Sequence, residues 1–341
     1  SISRFSHIES AGFPDDSGGP EFAVLRETEV WDFNQFLTGL KLIHFTGEKW
    51  VNNVNLYLTH IEEEIDSPGV APGIRDPFGI PANTVNSEYT RVEAEYITVF
   101  SISSSNNISL GIDTQYERGN NSGTIFAGEE IPTNFKEERF TISPLIELKL
   151  NILKDFYLLG GGRIDYTDGF NTEVSPHIGI LYSLKKSGTT FSANWGEGFK
   201  LPSFFALGNP IVGNENLRPE TSDSFDFKVG QLLFNDSFSI AATAFYNRFS
   251  NLIDFDEGPP PRLINLDEVV TKGFEFEIKT KKIFNSVLYW NLSYIKSNIV
   301  NSPENLRNRP EWLANFSIIW TPDPLLEICL LYTSDAADED C

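Results

Sequence analysis

Methionine is absent from the 341 residues of this sequence, and cysteine occurs only at Cys329 and Cys341. A chain without Met has no initiator, and removal of a signal peptide seldom leaves a product with no Met at all. We therefore expect the sequence to begin inside a longer reading frame.

Both cysteines belong to the last thirteen residues, "CLLYTSDAADEDC", whose pattern differs from that of the preceding chain. From Cys329 to Glu339 this tail resembles translated sequencing-adapter read-through, which predicts that residues 329–341 are not native. A genuine acidic tail is the alternative. If the tail is not native, the rest of this chain has no cysteine, and no disulfide or thiol argument applies to it.

Positive charge is scarce, because 26 Lys and Arg stand against 48 Asp and Glu, a formal net charge of −22. A nucleic-acid-binding protein needs a basic face to neutralise phosphates, so nucleic acid is excluded as a partner. No apolar run reaches the roughly 18 residues of a membrane-spanning helix. The first residues show no basic-then-apolar signal sequence.

Signals of catalysis and of cofactor binding are also scarce. Only four His occur, His7, His44, His60 and His177, without the spacing of metal ligands. Neither a Gly-x-Ser-x-Gly elbow nor a phosphate-binding loop is present. The sequence therefore predicts neither an enzyme nor a resident cofactor.

Alternation of apolar and polar residues is the dominant pattern that the sequence does contain. The clearest segment is "GFEFEIK", in which Phe274, Phe276 and Ile278 alternate with charged residues. A period of two is typical of β-strands, and no segment shows a helical stripe. Several segments reach ten residues or more, close to the 9–11 that a tilted strand needs to cross a bilayer. The predicted fold class is all-β.

The connections between these segments alternate between short turns and long polar loops. Short turns are predicted near Phe45, Ser103, Leu153, Lys185, Leu233, Ile283 and Thr321. Long loops are predicted at 62–86, 119–134, 201–221, 254–268 and 297–310. This alternation places the short turns at one end, as in a transmembrane antiparallel β-barrel with periplasmic turns and extracellular loops. About fifteen strands are predicted on this scheme, and a large soluble β protein is the alternative.

A barrel gives each strand a lipid face and an interior face. In lipid every backbone N–H and C=O needs a partner, so the sheet must close on itself. Phe274, Phe276 and Ile278 are then predicted to meet lipid, whereas Glu275 and Glu277 line the interior. Tyr and Trp near the strand ends are typical of an interfacial aromatic girdle. The candidates for the girdle are Tyr116, Tyr166, Trp195, Trp312 and Trp320.

One stretch carries a more specific resemblance, "GFKLPSFFAL" followed by "GNENLRPETSDSFDFKVG". It resembles the TonB-dependent outer-membrane receptors, in which Phe-(Arg/Lys)-x-Pro-(Ser/Thr) is commonly followed by Gly-Asn-x-x-Leu-(Lys/Arg)-Pro-Glu and a new strand. The matching residues are Phe199, Lys200, Pro202, Ser203, Gly213, Asn214, Leu217, Arg218, Pro219 and Glu220.

Further matches follow in order along the chain. "INLDEVVTKGFEFEI" resembles a descending strand of the family through Asn265, Val269, Gly273, Phe274 and Glu275. "NRPEWLANFSIIWTP" resembles a later strand through Arg309, Pro310 and Asn315. The specific resemblance covers residues 191–324, and before that it rests on barrel architecture.

The resemblance also predicts the domain organisation. The receptors carry an N-terminal plug domain and an energy-coupling box, and neither is visible in this sequence. A transporter with a plugged lumen has 22 strands, whereas about fifteen are predicted here. We therefore predict a barrel domain over residues 1–328 that is incomplete at both ends.

The function that the resemblance implies is high-affinity capture and active uptake of an iron–siderophore or cobalamin-like ligand. The implied partners are the TonB–ExbB–ExbD complex of the inner membrane, outer-membrane lipid and lipopolysaccharide, and the metal-chelate or cobalamin-like ligand itself. The implied location is the outer membrane of a Gram-negative bacterium. A passive porin-type channel and an outer-membrane enzyme are the alternatives, and an enzyme would need convergent catalytic residues at the barrel mouth.

Two groups of residues are candidates for a binding role. Acidic loop residues could bind Ca²⁺ through oxygen ligands, and the weak candidates are Asp254, Asp256 and Glu257; a solvated acidic loop is the simpler interpretation. Arg218, in Arg218-Pro219-Glu220, could contact an anion. Because Pro219 fixes φ and has no N–H, the motif is better interpreted as the end of a ligand-facing loop that sets strand register. The ligand-contacting residues stay unknown.

Overall fold

The structure is a computed structural model, and it describes residues 2–11, 28–69, 81–256, 258, 261–266, 268–300, 310–323 and 325–336. Strands account for nearly all of its secondary structure. In chain order they are β1 (Ile2–Ala11), β2 (Thr28–Thr46), β3 (Trp50–Ser67), β4 (Asn83–Ser103), β5 (Asn106–Phe126), β6 (Glu130–Pro132), β7 (Phe135–Leu153), β8 (Phe156–Thr167), β9 (Glu173–Leu184), β10 (Thr189–Lys200), β11 (Glu220–Leu233), β12 (Phe238–Ser250), β13 (Ile253–Phe255), β14 (Leu263–Asn265), β15 (Glu268–Thr280), β16 (Ser286–Ile299), β17 (Trp312–Asp323) and β18 (Leu326–Ala336). One helix, α1 (Phe204–Gly208), lies between β10 and β11.

The main sheet is a meander in which each strand pairs with the next one along the chain. Its order is β1-β2-β3-β4-β5-β7-β8-β9-β10-β11-β12-β15-β16-β17-β18, with β6 paired only to β5 and β13 paired to β14. Every pairing is antiparallel. The prediction of an antiparallel, partial barrel of about fifteen strands is confirmed, and β1 and β18 form the two edges of the sheet.

The predicted short turns all connect neighbouring strands at one end of the sheet. At the tip of the β15–β16 turn, φ is positive at both Phe284 and Asn285, and Ile283 and Ser286 exchange backbone hydrogen bonds of 2.8 Å. This is the geometry of a type I′ turn, whose twist matches that of the strands it joins.

Two of the predicted long loops are shorter than expected. β3 continues to Ser67 and β4 begins at Asn83, and β5 continues to Phe126 before β7 begins at Phe135. Most side chains in these extensions are polar, with Ile65, Val85, Ile125 and Phe126 as the exceptions, so the alternation that identifies a membrane strand is missing. Backbone pairing continues nevertheless, and β4 and β5 each reach 21 residues.

The two faces of the sheet have opposite chemistry. Buried polar residues lie on the inner face, among them Asn55, Asp113, Glu117, Ser143 and Asp165. Large apolar side chains are exposed on the outer face, among them Leu40, Leu56, Val92, Leu110, Ile146, Ile178, Phe225, Phe227 and Phe274. A soluble protein has the reverse arrangement, whereas a barrel in lipid needs this one.

Several aromatic residues of the outer face lie against one another or have a polar partner. Tyr294 and Trp312 lie 4.7 Å apart between ring centroids, and the ring of Phe274 lies 6.0 Å from that of Trp312. The indole N–H of Trp195 donates to Asp223 (2.7 Å), and the hydroxyl of Tyr116 donates to Glu138 (2.9 Å). Aromatic side chains with an apolar ring and a satisfied polar atom are typical of the interfacial girdle.

Among the described residues, no helix has both the length and the apolar character needed to cross a membrane.

Candidate functional site: the mouth loop and the inner wall

The connection between β10 and β11, residues 201–219, folds over the inner face of the sheet; we call it the mouth loop. It begins with α1, whose N-cap is Ser203, because the Ser203 hydroxyl oxygen accepts the N–H of Ala206 (3.1 Å). Pro202, just before the cap, is fully buried. A Ser at this position satisfies one of the free N–H groups at the helix start.

A cluster of four residues, the loop clamp, attaches α1 to the inner wall. It consists of Tyr89 on β4, Glu117 on β5, Arg139 on β7 and Phe204 of α1. The Arg139 guanidinium donates to the Glu117 carboxylate through Nε (2.5 Å) and to the Pro202 carbonyl through Nη1 (2.9 Å). It also lies 4.6 Å from the centroid of the Phe204 ring, and the Tyr89 hydroxyl donates to the other oxygen of Glu117.

The clamp is buried, and its charges are paired. The side chains of Glu117 and Arg139 are only 7% and 13% exposed. A buried carboxylate is tolerated when a cation and further hydrogen bonds satisfy its oxygens, and Arg139 and Tyr89 do so here. Gly119 leaves room for the loop, because a Cβ there would lie 2.5 Å from the Phe204 ring.

A small apolar core also supports the mouth loop. Ala206 and Leu217 pack with Leu263 of β14. The side-chain oxygen of Asn209 accepts the N–H groups of Ile211 and Val212 (2.9 and 3.1 Å). Gly213 is required at this point, because a Cβ there would lie 2.4 Å from the Asn209 carbonyl oxygen.

Hydrogen bonds then join the mouth loop to the β13–β14 hairpin. The Asn214 amide donates to the Leu263 carbonyl (3.0 Å). Asn265 accepts the N–H of Arg218 (2.9 Å) and donates to its carbonyl (3.0 Å). Arg218 is exposed, and these contacts use its backbone rather than its guanidinium. Glu220, the first residue of β11, accepts the N–H of Ile253 (2.8 Å) and pairs with Lys200 (3.1 Å).

The structure therefore brings together most of the residues of the family motif in one folded unit at the mouth. Their contacts are those of caps, turns and strand starts, in line with the register-setting role that we infer for them from the sequence. Phe199 and Lys200 end β10, and Pro219, which is buried, precedes β11.

Gly273 and Glu275 of the motif lie away from the mouth loop, within β15. Gly273 stands opposite Ile295 on β16, and a Cβ at Gly273 would lie 1.9 Å from the Tyr294 carbonyl oxygen and 2.8 Å from the Phe245 ring. Glu275 is half-buried, between Thr243 on β12 and Ser293 on β16. Gly273 thus permits close approach of two strands.

We expect Gly273→Ala to destabilise the folded barrel by about 1–3 kcal/mol, because the added methyl group meets backbone and an aromatic ring that cannot both move away. Gly160→Ala is the matched control, since its Cβ would have no neighbour nearer than 4.0 Å. Urea titration of both variants in the same vesicles measures the difference. Equal stability of the two would contradict the packing role of Gly273.

The acidic candidates are engaged by backbone amides. Asp254 accepts the N–H of Phe255 (2.8 Å), and Asp256 accepts the N–H groups of Gly258 (3.1 Å) and Arg262 (2.8 Å). These hydrogen bonds hold the pKa of Asp256 below its usual value. Glu257 lies outside the described residues. The described part of the chain brings no three acidic, His or Cys side chains together in a metal-binding arrangement.

A row of polar side chains below the mouth was missed by reasoning from the sequence. The strand registers place Asn55, Glu95, Asp113 and Ser143 opposite one another on β3, β4, β5 and β7. Asn55 donates to Glu95 (2.6 Å), and Ser143 donates to Asp165 (2.6 Å). Alternation identifies each as an inner-face residue, but only the register shows that they form one wall.

The comparisons with known proteins agree with this architecture. A family model described as TonB dependent receptor-like, beta-barrel, matches residues 3–335. The chain therefore belongs to the TonB-dependent receptor β-barrel family. Members of this family are outer-membrane receptors of Gram-negative bacteria, and the outer membrane is the location of this protein.

Two relatives illustrate the range of the family. One is the vitamin B12 transporter BtuB of Photobacterium profundum, to which the chain is 30% identical over 151 residues; the match covers 42% of this chain and 23% of BtuB. The other is the iron-regulated outer membrane virulence protein of Vibrio cholerae serotype O1, to which the chain is 25% identical over 205 residues; the match covers 51% of this chain and 30% of that protein.

Solved structures share the fold at low sequence identity. The copper transporter OprC superposes with a TM-score of 0.70 at 15% identity, over 86% of this chain and 50% of that one. The siderophore receptor PirA from Acinetobacter baumannii gives a TM-score of 0.70 at 14% identity, over 90% of this chain and 50% of that one. The chain thus spans about half the length of these structures.

Proposed function

We propose that this chain forms part of the barrel wall and the mouth of a TonB-dependent receptor, and that the receptor actively takes up an iron–siderophore or cobalamin-like ligand. The family match over residues 3–335 carries the proposal. Relatives named as a vitamin B12 transporter and as an iron-regulated outer-membrane protein support the ligand class. The proposed function requires no covalent chemistry and no cofactor.

The mouth loop supports a receptor rather than an open pore. Its clamp at Arg139 and its hydrogen bonds to the β13–β14 hairpin hold it across part of the inner face. Phe205 is exposed on α1, so it is a candidate ligand-contacting residue. A loop fixed at both ends binds with less loss of conformational freedom than a flexible one.

Uptake assays test the proposal directly. The complete gene is expressed in a Gram-negative strain without its own cobalamin and siderophore receptors, in the presence and absence of TonB. We expect accumulation of labelled cyanocobalamin or of a labelled ferric catecholate siderophore only when TonB is present. Accumulation that is independent of TonB would identify a passive porin-type channel instead, and no uptake of either probe would exclude cobalamin and ferric catecholates as ligands.

Sequencing of the genomic DNA on both sides of this frame is an independent check. A plug domain and a coupling box upstream are expected for a receptor driven by the TonB–ExbB–ExbD complex. An upstream region that encodes only a signal peptide and further strands would contradict active transport.

A further inference from the structure

Three neighbouring hairpins form one continuous rim at the short-turn end of the sheet. They are β9–β10, β11–β12 and β15–β16, and they lie side by side because β10 pairs with β11 and β12 pairs with β15. The turns are also bonded to one another, since the Leu232 N–H donates to the Gly188 carbonyl (2.8 Å) and the Lys281 N–H donates to the Ser237 carbonyl (2.9 Å).

Two phenylalanines occupy this rim in an unfavourable backbone conformation. Phe234 and Phe284 have φ of 53° and 48°, in the left-handed region where a bulky side chain is an outlier. They are also 75% and 95% exposed. Asn, Asp or Gly is favoured in such turns, and Asn235 and Asn285 follow in the chain. Turn geometry therefore explains the asparagines but not the phenylalanines.

The Phe234 ring continues the lipid-facing surface of the barrel. The Phe234 ring lies 5.6 Å from that of Phe238. Phe238 is two residues before Ile240, which stands opposite Ile278 of the outer face, so it has the same orientation. The apolar outer face thus reaches the tip of the β11–β12 turn.

Exposed lysines flank the two rings. Lys185 and Lys186 lie on the first of the three turns, and Lys281 and Lys282 on the third. Lys185 pairs with Asp155 (2.6 Å), and Lys281 lies 3.8 Å from Asp236. Within the part of the chain that the structure describes, Lys186 and Lys282 form no ion pair. The rim therefore combines two apolar tips with cations that face solvent.

We propose that this basic-aromatic rim binds anionic phospholipid headgroups of the inner leaflet of the outer membrane. The rim consists of Lys185, Lys186, Phe234, Lys281, Lys282 and Phe284. The two rings enter the boundary between headgroups and acyl chains, as the apolar side chains of interfacial segments do. The lysines bind the lipid phosphates, because basic residues next to a membrane are attracted to anionic lipids. The short turns at this rim thus lie in the interface rather than in periplasmic water.

Fluorescence quenching of a turn label tests this contact. Asn285→Cys is labelled with bimane in the complete protein, with any other cysteine replaced by Ser, and reconstituted in phosphatidylcholine vesicles with or without phosphatidylglycerol. Ser104→Cys, on the all-polar β4–β5 turn, is the matched control. We expect a headgroup nitroxide lipid to quench the label at 285 at least about twofold more than the label at 104, with a further increase on adding phosphatidylglycerol.

Two sets of variants separate the roles of the residues. Phe234→Asn with Phe284→Asn suits the turn geometry and should fold normally, as shown by heat-modifiable gel mobility, yet quenching at 285 should fall to the level at 104. Replacing the four lysines by Gln should abolish only the increase with phosphatidylglycerol. Equal quenching of the labels at 285 and 104 by the nitroxide lipid would overturn the proposal. It would also be overturned if the lipid did not quench the label at 285 and photocrosslinking in cells joined the rim to a protein.

Discussion

Phe276→Arg is expected to destabilise the protein folded in a bilayer by about 2–4 kcal/mol, the cost of a cation on the lipid face near the midplane. Phe276 is the fifth residue from the short-turn end of β15, and a tilted strand crosses the bilayer in about ten residues, so it lies close to mid-depth. Its ring packs edge-on against that of Trp290, with 5.7 Å between centroids. Urea titration of the complete protein in lipid vesicles measures the difference.

A variant on the opposite face of the same strand provides the control. Glu275 is adjacent in sequence but faces the inner wall, beside Thr243 and Ser293. Glu275→Arg introduces the same side chain into a polar, water-accessible setting, and we expect a cost well below that of Phe276→Arg. Ile278→Arg should resemble Phe276→Arg, with a smaller cost because it lies nearer to the interface. Tolerance of both outer-face variants would contradict the barrel assignment.

Alternation predicts the strands and their faces well, for a physical reason. In a bilayer the outer face must be apolar and the inner face polar, so each strand of the membrane region shows both requirements in its sequence. Phe274, Phe276 and Glu275 lie on the faces that the pattern indicates. The number of strands follows from the same pattern, because each short turn lies between two alternating segments.

The predicted loops were less accurate, because outside the membrane a strand does not need one apolar and one polar face. Glu62 and Glu63 form an acidic run that resembles a loop, yet both lie within β3 and pair with Glu88 and Ser87 of β4. Water satisfies both faces of such a strand. The sequence there contains no periodic signal, although the backbone ladder continues.

The mouth loop shows a second limit. Its motif residues could be recognised as turn and strand-start residues, but the side chains that hold it come from distant strands. Arg139 reaches Pro202 across 63 positions of the chain, and Glu117 and Tyr89 are farther away still. Only the register of β4, β5 and β7 shows that these residues share one face.

Arg139→Ala should have the largest effect of any single change in the mouth. It leaves Glu117 buried with the Tyr89 hydroxyl as its remaining side-chain donor, and removing one partner of a buried ion pair costs about 3–5 kcal/mol. It also removes the donor to the Pro202 carbonyl and the cation beside Phe204. We expect the mouth loop to detach before the barrel unfolds. Faster hydrogen exchange at residues 203–217, with unchanged exchange in β11 and β12, measures this local release.

A double variant separates the effect of an unpaired charge on loop stability from the effect of lost packing. In Arg139→Met with Glu117→Gln, no uncompensated charge is left in the clamp, and the Met side chain still covers Phe204. Replacing a buried ion pair by neutral groups of similar size is often close to neutral in stability. We therefore expect the double variant to recover most of the protection that Arg139→Ala loses. If the double variant is as labile as Arg139→Ala, the Arg139–Pro202 hydrogen bond rather than charge compensation holds the loop on the wall. In that case Arg139→Lys should be labile as well, because Lys keeps the charge but cannot reproduce the fork of donors.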